Sequence, residues 1–307
     1  MGFEERTLGR TGLRVSPIGI GCGFGITGPD VRYAFDRGIN YFFFSSDLHH
    51  FAYRPSVDGI RSLCGSQSSV REKVVLATVS YVGDPEKLPG VLCDQFHELG
   101  VDYIDVFHWG WITEASDGAA LFGAVSRVMD GGEDVDAMRK LLHLKATAEE
   151  VGVDLKKRGL VRHVGASFHS RAQAAKCLDG PCEVMMLRYN VSHRGAEQDV
   201  FPLLTGDQTC DPGIVVFNSA HEGEKYFHQR IEGYPQEYPV PSVPDCYRFA
   251  LTNPAVDLVL TGVKNRAEVD AALSAVEAGP LTERQMDFMG KYGLIHANKA
   301  KIRTPKP

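Results

Sequence analysis

The sequence has no pair of cysteines at CxxC spacing, no apolar run of the roughly 18 residues that cross a bilayer, and no excess of positive charge. Its seven cysteines, Cys22, Cys64, Cys93, Cys177, Cys182, Cys210 and Cys246, are scattered and odd in number. That pattern argues against a cysteine-built zinc site or iron–sulfur cluster, and for reduced thiols in a cytoplasmic protein. A net charge of −6 without a basic stripe excludes a nucleic-acid partner, and the lack of a long apolar run leaves no membrane partner. The opening "MGFEERTLGRTGLRV" is too polar for a signal peptide, and Arg6 stands where N-myristoylation needs Ser or Thr. No pattern fixes an oligomeric state.

What is present is a strict alternation of short apolar runs and helical patterns. The runs at 17–25, "INYFFFS", 73–80, 102–111, 161–167, 183–190, 212–219 and 255–263 read as strands. Nearly every one is followed by a helical pattern, among them 30–38, 55–65, 85–100 and "NRAEVDAALSAVEAG". Strands that are apolar throughout are covered on both faces. Eight strand-then-helix units in about 265 residues predict one α/β domain spanning 1–307, a (β/α)8 TIM barrel whose site lies at the C-terminal ends of the strands. The alternative, an open doubly wound sheet, would want a GxGxxG after the first strand. Gly21, Gly23 and Gly25 do not have that spacing. A longer loop-and-helix region at about 112–147 reads as a lid or an oligomer contact. A Tyr/Pro-rich loop runs from 221 to 244.

Six phrases, in order, resemble the aldo-keto reductases. "RTLGRTGLRVSPIGIGCGFG" is similar to their N-terminal β-hairpin and first strand, "DRGINYFFFSSD" to the second, "LGVDYIDVFHW" to the fourth and "LVRHVGASFHSRAQ" to the fifth. "LRYNVSHRGAEQDVFPLL" resembles the sixth strand and helix, and "TGVKNRAEVDAALSAV" the phosphate-binding eighth unit. The resemblance covers nearly the whole chain. It implies a barrel oxidoreductase with NADP(H) as cofactor and a small organic carbonyl or alcohol as substrate. In that family an Asp, a Tyr, a Lys and a His form the catalytic tetrad.

The residues falling on that tetrad differ. The Asp position receives Phe43 or Phe44, the Tyr position Leu48 or His49, the Lys position Val79, and the His position Gly110 or Trp109. A phenol is a poor acid–base catalyst at neutral pH without a cation to shift it. Candidates for a rewritten centre are Asp47, His49, His50 and His108, with His169 nearby. His108 lies two residues before Gly110 and shares its side of the strand. Three readings stay open. Imidazole at His49 or His50 serves as acid–base group, tuned by Asp47 or His108. Asp47, His108 and one of the pair bind Fe or Zn, in a lyase or oxygenase that has lost the nicotinamide. Or the histidines are structural.

At the cofactor end the resemblance places Ser167 against the nicotinamide amide and Phe217 beneath its ring. Phe168, Met186 and Ala272 replace the family's Asn, Gln and adenine-side Asn. Lys264, Asn265 and Arg266 open the last helix of the repeat, a natural phosphate site, or else a solvated helix start. Trp109 and Trp111 lie where they could wall a substrate pocket, although barrel packing would explain them equally.

Overall fold

Tyr41–Ser45 and Val75–Ser80 are buried at every residue, as the apolar runs predict for strands with no solvent face. The computed structural model, which describes residues 3–82, 88–113, 160–222 and 225–303, builds them into a closed parallel barrel. A two-stranded hairpin, β1 (Arg6–Thr7) and β2 (Arg14–Val15), precedes it. The barrel strands are β3 (Ile18–Gly21), β4 (Tyr41–Ser45), β5 (Val75–Ser80), β6 (Ile104–Ile112), β7 (Val161–Phe168), β8 (Val184–Arg188), β9 (Gly213–Phe217) and β12 (Leu258–Thr261). β12 pairs with both β9 and β3, which closes the ring. This is the expected (β/α)8 architecture with its N-terminal hairpin.

Among the described residues the helices are α1 (Gly28–Asp36), α2 (His50–Tyr53), α3 (Val57–Cys64), α4 (Leu88–Leu99), α5 (Arg171–Lys176), α6 (Ala196–Asp199), α7 (Val243–Thr252) and α8 (Arg266–Glu277). A further one, α9 (Glu283–Arg303), extends past the repeat and packs Tyr292 and His296 on Phe227. The stretch expected as a loop from 221 to 244 also carries a small hairpin, β10 (His221–Glu222) with β11 (Lys225–Tyr226). Beyond Thr113, the expected region at 112–147 lies outside the described residues.

The strand register decides which side chains face inward. Ser45, Val79, His108, Gly165, Val184 and Gly213 sit side by side around the barrel. Phe43 on β4 reaches His108 on β6 across the intervening strand, with ring centroids 5.8 Å apart. Side chains two strands apart can meet only where the barrel wall curves inward, so this face is the interior. The opposite face, with Phe42, Phe44, Phe107 and Trp109, packs under the helices and is buried.

The floor is sealed by the N-terminal hairpin. Leu8 is fully buried beneath Gly213, where an added Cβ would come within 2.6 Å of Leu8 Cγ. Outside the barrel near its base, Asp105 accepts from Arg71 Nη2 (2.8 Å), Arg162 Nη1 (3.2 Å) and the Leu76 N–H (2.9 Å). Both guanidiniums stack on the Tyr103 ring, at 3.7 and 3.9 Å from its centroid.

Candidate active site at the barrel mouth

Among the described residues, three non-glycine residues have positive φ, namely His49 (58°), Trp111 (58°) and Asn218 (56°). Each follows or ends a barrel strand at the C-terminal rim. Such left-handed residues cost on the order of 1 kcal/mol or more and tend to gather where function fixes the backbone.

Two of them, Trp111 and His49, redirect side chains. At β6 the register breaks between Trp109 and Ile112. Trp109 stays on the outer face, 2% exposed and edge-on to Phe107. Trp111 swings to the mouth instead, half-exposed between Tyr81 (5.2 Å) and His169 (6.3 Å). His169 continues the arc to Phe217 at 5.9 Å. One tryptophan is thus wall packing and the other lines the mouth.

The turn at His49 sends the histidine pair away from the interior. His49 is exposed, its ring edge-on to the solvent-facing Phe51. His50 starts α2, lies against outward-facing Phe44, and contacts Glu98 of α4 with Nε2 at 2.6 Å from Oε1. His108 is fully buried in the interior, with Nδ1 3.2 Å from the Thr78 carbonyl and Nε2 without a protein partner. Burial pulls its pKa down to about 4, so the ring is neutral at physiological pH. Asp47 bridges two strand ends. Its Oδ1 accepts from Ser45 Oγ (2.9 Å) and the Leu48 N–H (2.5 Å), and its Oδ2 from Ser80 Oγ (2.8 Å) and the Tyr81 N–H (2.9 Å). The four candidates therefore do not converge. Among the described residues, no group of three or more His, Cys, Asp or Glu is arranged to hold a metal ion.

Two tyrosines come together at the rim. Tyr81 follows the end of β5, and its ring fills the space above Gly110, where an added Cβ would lie 2.2 Å from Tyr81 Cδ1. Tyr53, at the end of α2, lies over Gly23, where a Cβ would come within 2.6 Å of its Cζ. The two phenols lie close enough to influence each other's titration. Burial, then the Asp47 charge, push the Tyr81 phenol up to about 12, against a smaller lowering by the neighbouring Tyr53. Burial raises Tyr53 further. The only sequence signal was two glycines at rim positions, each making room for a ring from another segment.

One end of this mouth offers groups suited to a nicotinamide. Ser167 and Met186 face inward in register, and Phe217, half-buried, is the register partner of Arg188. Phe217 offers an apolar face to a planar ring and Ser167 a hydroxyl to its amide. At α8 the fit is partial. Asn265 caps the helix by accepting from the Glu268 N–H (3.1 Å), and Glu268 folds back to accept from the Lys264 N–H (2.9 Å) and Asn265 Nδ2 (3.2 Å). Arg266 pairs with Asp30 (3.3 Å) and stacks over Tyr33, whereas Lys264 is exposed.

Sequence comparison finds no matching protein-family model and no matching curated protein. In structure, the chain is similar to an aldo-keto reductase from Bacillus halodurans in its holo form, with a TM-score of 0.65 and 18% identity over 95% of this chain and 96% of that one. The apo form of that enzyme gives 0.64 and 21% over the same shares. The chain has the aldo-keto reductase fold. In that fold the C-terminal rim of the barrel carries the site, and here Phe43 and Val79 face the interior below it.

Proposed function

We propose that the protein is a nicotinamide-dependent oxidoreductase of aldo-keto reductase type, reducing a small organic carbonyl compound at the barrel mouth, with NADP(H) as cofactor and Tyr81 as proton donor. The observation that carries this reading is the Tyr81 ring at the rim, packed over Gly110 and beside Tyr53, with its backbone N–H held by Asp47. The likeness to a reductase known in a holo form supports the cofactor.

In this reading Phe217 and Ser167 hold and orient the nicotinamide, and Lys264 and Arg266 meet its phosphates. The chemistry such a dihydronicotinamide would supply, when bound, is a hydride for the carbonyl carbon. Tyr81 gives its hydroxyl proton to the carbonyl oxygen as negative charge develops there. Tyr53, close beside it, would turn its hydroxyl to the Tyr81 oxygen and so stabilise the phenolate that results. Asp47 is a positioning residue, holding the start of the Tyr81 segment against β4. His108, neutral and one layer below, forms a dry polar floor. The site thus retains a histidine, but His49 and His50 stand outside it.

The test combines binding and turnover. NADPH titration, followed by cofactor fluorescence, should saturate. With an aromatic aldehyde panel, Tyr81→Phe should lower kcat about 100-fold or more with KM changed little. Tyr53→Phe should lower it less. Absence of saturable nicotinamide binding overturns the reading, and so does full activity of Tyr81→Phe.

A further inference from the structure

Helix α2 is four residues long, and its N-cap, His49, is left-handed and supplies no side-chain cap. A helix that short is held by its contacts rather than by its own hydrogen bonds. Its first residue, His50, places Nε2 2.6 Å from Glu98 Oε1 of α4. A carboxylate only accepts, so the imidazole is the donor. The two side chains are 35% and 22% exposed, so water competes with this bond only in part. Glu98 is itself fixed, since its carbonyl accepts from Arg61 Nε of α3 at 2.5 Å. The last residue of α2, Tyr53, rests its ring over Gly23. Residues three apart share a helix face, and both rings meet Phe44 of β4 edge-on, His50 at 6.3 Å and Tyr53 at 5.6 Å.

The segment from Asp47 to Tyr53 meets Tyr81 at both of its ends. At the start, Asp47 Oδ2 accepts from the Tyr81 N–H at 2.9 Å. At the end, Tyr53 stands near enough to Tyr81 for each phenol to act on the other's titration. On its far side the Tyr81 ring packs against Trp111, with centroids 5.2 Å apart. A displacement of α2 therefore moves Tyr53 relative to Tyr81, while Asp47 keeps the Tyr81 backbone in place. His50 lies outside the mouth, yet it is the other anchored end of the helix that carries Tyr53.

We propose that the His50–Glu98 hydrogen bond is a latch that sets the position of Tyr53 beside Tyr81, so that His50 and Glu98 are positioning residues for proton donation. This assignment rests on the reading of Tyr81 as proton donor. Loss of the bond frees the start of α2, and the Tyr53 hydroxyl then meets the developing phenolate less often. Misplacement of a group that acts only in the transition state lowers turnover and leaves substrate binding alone.

The test uses full-length protein with NADPH and the aromatic aldehyde panel. His50→Ala and Glu98→Ala should each lower kcat about three- to tenfold, with KM and NADPH affinity unchanged. The double variant should be no worse than either single one, because both remove the same bond. His50→Gln, whose amide reaches to where Nε2 stood, should restore most of the rate. In a Tyr53→Phe background, which lacks the positioned hydroxyl, adding His50→Ala should cost less than about twofold. Parent-like kcat in a folded His50→Ala protein overturns the latch, and so does a full loss repeated in the Tyr53→Phe background. Glu98→Ala supplies the same test from α4 should the His50→Ala protein fail to fold.

A second readout needs no turnover. The chain has two tryptophans, and Trp109 is buried in the wall, so acrylamide quenching reports on Trp111 beside Tyr81. Quenching should rise in His50→Ala and return to the parent value in His50→Gln, without cofactor or substrate. That response in a protein that binds no NADPH keeps the latch and sinks the reductase reading. NADPH turnover that needs Tyr81 but not His50, with parent-like quenching in His50→Ala, does the reverse.

Discussion

The imidazole of His108 occupies the space a side chain at position 165 would need: a Cβ on Gly165 would lie 2.8 Å from His108 Cδ2 and 2.5 Å from the Val184 carbonyl oxygen. Both neighbours are held in the barrel layer, one of them by backbone. Gly165→Ala is therefore expected to destabilise the fold by about 1–3 kcal/mol through overpacking. Denaturant unfolding should show a lower midpoint with an unchanged slope. Combining it with His108→Ala should recover part of the loss only, because the Val184 contact remains.

His108 and Asp257 give opposite acid responses. The folded pKa of His108 is about 4, below its ordinary 6.5, so the unfolded chain binds the extra proton first. Stability from this group is full above pH 6.5 and falls as the pH drops toward 4, by up to about 1.4 kcal/mol per unit. Asp257 is raised from 3.8 to about 6, chiefly by burial, so its contribution is present at low pH and is lost as pH rises through 6. Between pH 4 and 6 the two nearly cancel. In His108→Leu, stability should rise on acidification across that window. In Asp257→Asn it should fall more steeply than in the parent. Urea midpoints at half-unit pH steps check both, and parallel profiles for all three proteins would contradict the assignment.

The barrel was legible because its strands are short apolar runs with a helix after almost every one, and the hairpin because its phrase sits before the first of them. Strand alternation also put His108 on the side of Gly110, but alternation stops applying at the rim. The left-handed turn at His49 throws the pair outward, and the one at Trp111 brings that ring in while Trp109 stays in the wall. Tyr53 and Tyr81 were missed because they belong to different segments and meet only when the barrel closes. The glycines that admit them, Gly23 and Gly110, read in sequence as missing residues rather than as room. Helix α9 was missed because its packing partners, Phe227 and Tyr234, lie in what reads as a loop.

Asp105 offers a test of the barrel wall away from the mouth. It is 2% exposed at the side chain, pairs with Arg71 at 2.8 Å, and also ties the Leu76 N–H. Asp105→Ala leaves two guanidiniums without their shared carboxylate, one of them buried. That loss should cost about 3–5 kcal/mol. Thermal unfolding should shift far more than for Asp287→Ala, which removes an exposed pair with Lys291 worth at most about 1 kcal/mol.

The Tyr81 phenol predicts the direction of the proposed reaction. With its pKa near 12 it remains protonated at neutral pH and can donate, whereas alcohol oxidation needs the phenolate as base. Reduction should be independent of this group from pH 6 to 10. Oxidation should be slow at pH 7 and rise about tenfold per unit over the same range. Initial rates in both directions settle the point. A reduction rate that falls with a midpoint near 7 would show a different proton donor.

Glu268 competes with any phosphate at the start of α8, since its carboxylate already accepts from the Lys264 N–H and from Asn265 Nδ2. A carboxylate there stabilises the helix through its dipole and through the cap, but it also adds negative charge beside Lys264 and Arg266, where a phosphate would bind. Glu268→Gln keeps a capping oxygen and removes the charge. Removal of that charge, worth about 0.3–1 kcal/mol, should tighten NADPH binding roughly two- to fivefold. The same substitution should lower stability by no more than about 1 kcal/mol. NADPH titrations at two salt concentrations check the electrostatic origin, because the gain over the parent should shrink as salt rises. If NADPH instead binds more weakly to Glu268→Gln, the carboxylate is a ligand-organising group rather than a competitor.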